Sequence, residues 1–126
     1  VSAGVAEATR AIVWERDENR CQWCGRLLRR DVDVTSLQHR RPRGMGGSRR
    51  PDANEPQNLV LMCGTGTTEC HGHVEKNRLE AFESGFLIRQ HDDPLNIPLQ
   101  SYDRRWWRLN ADGTRTPLPG GEPLDP

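Results

Sequence analysis

Lysine is nearly absent from this chain: of its 18 basic residues, 17 are arginine and only Lys76 is lysine. Aromatic residues make up 6% and apolar residues 33% of the 126 positions, so little material exists for a large core, and something besides packing is expected to hold a domain of this size. No run of about 18 apolar residues occurs, which excludes a membrane-spanning helix. No charged-then-apolar leader is seen either, and the expected location is therefore the cytoplasm. Internal repeats are absent. Net charge is formally zero, which taken alone argues against a nucleic-acid partner.

The distribution of charge argues the other way. Residues 20–50 contain nine arginines against Asp31 and Asp33, a local balance of +7 that the rest of the chain cancels. Arginine presents a planar fork of donors that matches phosphate better than a point charge does. A charged run is also the ordinary composition of a solvated face. The arginines therefore need a second signal before they mean anything.

Read for elements, the sequence predicts an α+β domain. Ala6–Asn19 (AEATRAIVWERDEN) has helical character without Gly or Pro. Val32–His39 and Asn58–Cys63 read as strands, and the stretch between them is loop by composition. His71–Ser84 reads as a helix that stops at Gly85. FLIRQ after Gly85 is a candidate short strand, and WWRLNADGTRTPL reads as a hairpin turning at Asp112-Gly113. The expected organisation is one domain over residues 1–115 with its core at 16–90, followed by a Pro/Gly-rich tail at 116–126. Trp106 and Trp107 suit stacking on bases, but the hairpin context favours core.

The four cysteines fall as Cys21-x2-Cys24 and Cys63-x6-Cys70. In a cytosolic chain such pairs favour a structural zinc ion over two disulfides or free thiols, and the Cys-Gln-Trp-Cys-Gly turn suits a zinc knuckle. The six-residue spacing of the second pair is wider than usual, and Gly64 and Gly66 would let that loop fold back. Such an ion would bring the end of the first strand, with Gln38 and His39, close to Asn58 and to the helix start, with His71, His73 and Glu75. His71 and Glu75, four apart, share a helix face that His73 does not. The order His, Asn, His on strand, strand and helix is the layout of a ββα metal site, with a base for water, a place for a divalent ion and cations to hold a strand. His73 and His91 are read as structural or surface residues.

His39, Asn58 and His71, framed by the cysteine pairs and set in "HRRPRGMGG", "NLVLMC" and "CHGHVE", resemble the zinc-containing HNH endonucleases of the His-Me finger group. The resemblance is in particular to the small HNH proteins of actinobacterial phages and prophages. The resemblance covers roughly residues 16–90. It implies a zinc-stabilised ββα-metal fold with a flanking N-terminal helix and a C-terminal hairpin. It also implies hydrolysis of DNA phosphodiester bonds with catalytic Mg²⁺ or Mn²⁺ beside the structural Zn²⁺. His39 matches the general base, His71 a ligand of the catalytic ion, and Asn58 the residue that braces the loop. The position before the base is usually Asp or His and ligates the metal. Here it is Gln38, whose amide oxygen brings no charge, and Glu75 is the candidate for the missing carboxylate.

Arg40, Arg41 and Arg43 are the expected DNA contacts, at least one of them on phosphate, with Gly44, Gly46 and Gly47 letting the loop approach the duplex. DNA is thus the expected partner. The phage resemblance adds terminase and portal proteins, and the host cytoplasm as the location. Nothing resembles a recognition helix, so little reading of sequence is expected. The competing reading is a zinc-stabilised DNA- or protein-binding module with weakened catalysis, which the Gln38 departure favours.

Overall fold

The computed structural model describes residues 4–42 and 51–119. Three helices and two small sheets make up the described part, an α+β arrangement. Helix α1 spans Glu7–Arg16 and buries Val13 and Trp14. It stops three residues short of the expected Asn19, because Glu18 and Asn19 take left-handed backbone angles. Arg16 and Asp17 look like surface residues in sequence, but they form a buried ion pair with Nε and Oδ1 2.8 Å apart. The Arg16 guanidinium also donates to the carbonyls of Pro56 and Leu59, and Asp17 accepts from the Leu61 amide at 3.0 Å. A paired charge with every donor directed at an oxygen can be buried where a lone one could not. This pair pins α1 to the central hairpin.

That hairpin consists of β1 (Thr35–His39) and β2 (Leu59–Cys63), antiparallel, with Thr35 opposite Cys63 and His39 opposite Leu59. Every residue of β2 is buried, as its unbroken apolar run requires of a strand covered on both sides. The first strand starts at Thr35, not at the expected Val32. The Asp33 carboxylate accepts from the Arg29 amide and closes a turn there, leaving Val32 and Val34 exposed.

The expected helix over 71–84 is two helices, α2 (Glu69–Lys76) and α3 (Arg78–Ser84). They break at Asn77, which leaves the helical backbone region with φ −114° and ψ 64°, and whose backbone amide and side-chain amide both donate to the His73 carbonyl, at 2.9 and 2.8 Å. Gly85 closes α3 in the left-handed conformation, as expected. Phe86, Leu87 and Ile88 are buried but form no strand; the Ile88 amide donates to the Arg40 carbonyl at 2.8 Å.

The second sheet contains β3 (Leu99–Gln100), which the sequence reading did not contain, beside the expected hairpin β4 (Trp106–Leu109) and β5 (Arg115–Pro117). Ordered pairing therefore runs two residues into the segment assigned to the tail. Trp107 packs against the core and donates from its indole to Ser101 Oγ at 3.0 Å, while Arg115 lies 4.0 Å over its ring. Among the described residues no helix is long and apolar enough to cross a membrane.

Candidate functional site

Two side-chain constellations stand back to back around β2 and α2. The first is the cysteine cluster: the Sγ atoms of Cys21, Cys24, Cys63 and Cys70 all lie within 4.8 Å of one another, and none of the four is in a disulfide. Four sulfurs around a tetrahedral ion at about 2.3 Å would stand about 3.8 Å apart, so this set can close on a metal ion with little movement. Each pair is turned inward by a glycine that follows a cysteine. Gly25 has φ +81° and a Cβ there would meet the Tyr102 ring at 2.6 Å; Gly64 has φ +85° and a Cβ would meet the Thr68 carbonyl oxygen at 2.4 Å. The knuckle is fastened to β2 by the Gln22 amide, which donates to Leu61 O at 3.0 Å.

Burial pushes the Cys21 thiol up to about 11, against backbone amides directed at its sulfur. Burial, followed by the charge of Cys21, also pushes Cys70 up. At Cys24 burial is outweighed by hydrogen bonds from the Arg26 amide and the neighbouring thiols, and the thiol is lowered. With Cys24 favouring the thiolate and Cys21 and Cys70 resisting ionisation without a counter-charge, the cluster is suited to a shared cation.

The second constellation is a cleft lined by Leu37, His39, Pro42, His71, Glu75 and Leu87. Leu37 and His39 reach it because alternate residues of β1 face the same side. His39 Nε2 lies 2.8 Å from Asn54 Oδ1. Asn54 accepts the Nε2 proton, which assigns the basic lone pair of that ring to Nδ1. His71 enters from α2 with Nδ1 2.5 Å from Ser36 Oγ, and that hydroxyl donates to Gly64 O at 2.8 Å. Ser36 therefore accepts from Nδ1–H, and Nε2, on the other side of the ring, faces Glu75 Oε1 3.6 Å away. The His71 pKa is lowered by burial, against the opposing effect of Glu75, which favours the neutral ring. Neither Ser36 nor Asn54 figured in the sequence reading, since each lies far along the chain from the histidine it contacts, 35 residues from His71 and 15 from His39, and carries no local signal.

Asn58 does not line the cleft. It is buried, accepts from the Arg41 amide at 2.9 Å, donates to Ala53 O at 2.8 Å, and its own carbonyl takes the Arg40 amide at 2.8 Å. Both ends of the loop that follows His39 are thus tied to one side chain.

Three expected site residues are placed elsewhere. Gln38, on the opposite face of β1 from His39, is fully buried and has Nε2 3.4 Å from Phe86 O, away from the cleft. Arg40 is not a phosphate contact: it is fully buried and donates to the carbonyls of Gly85, Gln57, Pro94 and Ile97. Burial and then nearby Arg16 bring its pKa down to about 9, so it remains cationic at neutral pH. Arg41, also buried, pairs with Asp52 and donates to Asp92 O. Arg43, Gly44, Gly46 and Gly47 lie outside the described residues. His73 is exposed, 3.3 Å from Glu80, and His91 is on the surface, as expected.

Neither a family model, nor a curated protein, nor a solved structure matches this chain.

Proposed function

We propose that this protein is a metal-dependent endonuclease of the HNH kind that hydrolyses DNA phosphodiester bonds. The observation that carries the reading is the convergence, in one cleft, of His39 from β1 with His71 and Glu75 from α2, each histidine ring oriented by a polar neighbour. In this reading the four cysteines hold a structural Zn²⁺ whose work is to fix β2, α2 and the knuckle together.

His71 Nε2 and Glu75 Oε1, 3.6 Å apart, can both reach one divalent ion at about 2.1 Å. Mg²⁺ or Mn²⁺ bound there would supply positive charge for the phosphate and the leaving oxygen. Two protein donors leave the remaining positions to water and phosphate oxygens, the usual arrangement for Mg²⁺ at phosphoryl sites. Gln38 has no part in this set. His39 Nδ1 takes a proton from the attacking water, and Asn54 shares the resulting charge through Nε2–H. Asn58 holds the chain leaving His39 and so keeps the ring in the cleft. Action in phage genome processing beside terminase and portal proteins rests on the resemblance alone.

Replacement His39→Ala tests this. We expect duplex cleavage to fall by about 10²-fold or more while DNA binding persists, as loss of a general base requires. Unchanged cleavage would remove His39 from the mechanism. Binding without any cleavage by the wild-type chain would favour the binding-module reading, which a site with two ligating side chains among the described residues already makes the alternative.

A further inference from the structure

With Arg40 and Arg41 buried in structural roles, the cations among the described residues that could meet the substrate are to be sought on the rim of the cleft. Glu75, a lining residue, lies 3.8 Å through Oε2 from Arg78 Nη1 at the start of α3. On the facing segment Leu87 lines the cleft, and Gln90 hydrogen-bonds the carbonyl of Pro42, another lining residue. Arg89 sits between those two anchored positions. Arg78 and Arg89 are both exposed, and both rest on one aromatic ring: their guanidinium carbons lie 5.6 and 4.9 Å from the centroid of Phe82.

We propose that Arg78 and Arg89, held on Phe82, bind two phosphates no more than about three nucleotides apart on the DNA strand entering the cleft. This rests on the nuclease reading and adds its substrate contacts. A guanidinium lying on a ring loses less rotamer freedom on binding, and its N–H edge stays available to phosphate oxygens. Among the described residues Arg89 makes no ion pair, and Arg78 has only its contact with half-buried Glu75. Three exposed arginines of the arginine-rich segment are paired elsewhere: Arg30 with Glu7 at 2.6 Å, Arg29 with Asp33 at 3.5 Å and Arg26 with Glu69 at 3.7 Å, while exposed Arg104 and Arg108 belong to the second sheet and its preceding turn and line no part of this cleft. Sharing one ring puts the two guanidiniums within roughly 10 Å of each other. That is about three nucleotide rises of 3.4 Å along a single strand.

The test is the salt dependence of duplex binding by the zinc-loaded chain without Mg²⁺, compared with Arg78→Gln/Arg89→Gln and with Arg78→Lys/Arg89→Lys. Two lost phosphate contacts should make the slope of log K against log[salt] shallower by about 1.8 in the Gln pair. The Lys pair should keep most of the slope, and Arg29→Gln/Arg30→Gln all of it. Metal content and thermal midpoint should be unchanged in every variant, since all four arginines are exposed. An unchanged slope in the Gln pair, from a wild type that cleaves plasmid with Mg²⁺, overturns this assignment and leaves the nuclease reading standing. A wild type that neither binds nor cleaves duplex overturns both.

Discussion

At the scale of single residues, Arg40 shows how one residue type in one run reaches opposite environments. It follows His39 directly and is fully buried against four backbone carbonyls, while Arg26, Arg29 and Arg30 of the same run lie on the surface. Truncation by Arg40→Ala removes the donors of Gly85, Gln57, Pro94 and Ile97 together. We expect a loss of about 3–5 kcal/mol, read from the urea midpoint, as for other buried charged partners that are deleted. A loss below about 1 kcal/mol would contradict the structural role. The arginine run was legible in sequence, but its division into buried and exposed members was not, because it depends on carbonyls supplied by residues 17 to 57 positions away. Gln38 was obscured differently: adjacency to His39 suggested a shared metal, whereas strand alternation sends the two side chains to opposite faces. The cysteine frame was legible because thiols at these spacings have few alternatives.

Among the elements, those defined by apolar pattern were read best. β2 was expected from Asn58 to Cys63 and is found at Leu59–Cys63, and the hairpin turn at Asp112-Gly113 was read correctly. Elements whose limits depend on a side chain bonded to nearby backbone were read less well: Asp33 delays β1, and Asn77, outside helical angles with its side chain on the His73 carbonyl, divides α2 from α3. The two-residue β3 exists only because β4 pairs with it, so no local pattern announces it.

The β2–α2 connection decides whether Cys63 and Cys70 can meet, and Gly64 is its pivot. Gly64→Ala forces a Cβ toward the Thr68 carbonyl and a left-handed angle on an L-residue. The expected cost is about 1–3 kcal/mol, with weakened metal retention in a competition assay against a chromogenic chelator. Metal retention equal to wild type would show that the turn is not what gathers the second cysteine pair.

For the molecule as a whole, a core short of aromatic residues leaves the cysteine cluster as the joint between the knuckle, β2 and α2. We expect one zinc ion per chain by elemental analysis. Its removal by a chelator should lower the thermal midpoint by more than about 10 °C or abolish the cooperative transition, as when metal binding and folding are coupled. A chain that binds no zinc, or melts identically without it, would leave the thiols without that role.

The central claim is that the cleft between β1 and α2 cuts DNA, and the most direct measurement is conversion of supercoiled plasmid by the zinc-loaded chain as Mg²⁺ or Mn²⁺ is raised from zero. The account predicts nicked or linear plasmid that appears only with the added ion and disappears with His39→Ala. Plasmid left supercoiled at every metal concentration by correctly folded, zinc-loaded protein would contradict it.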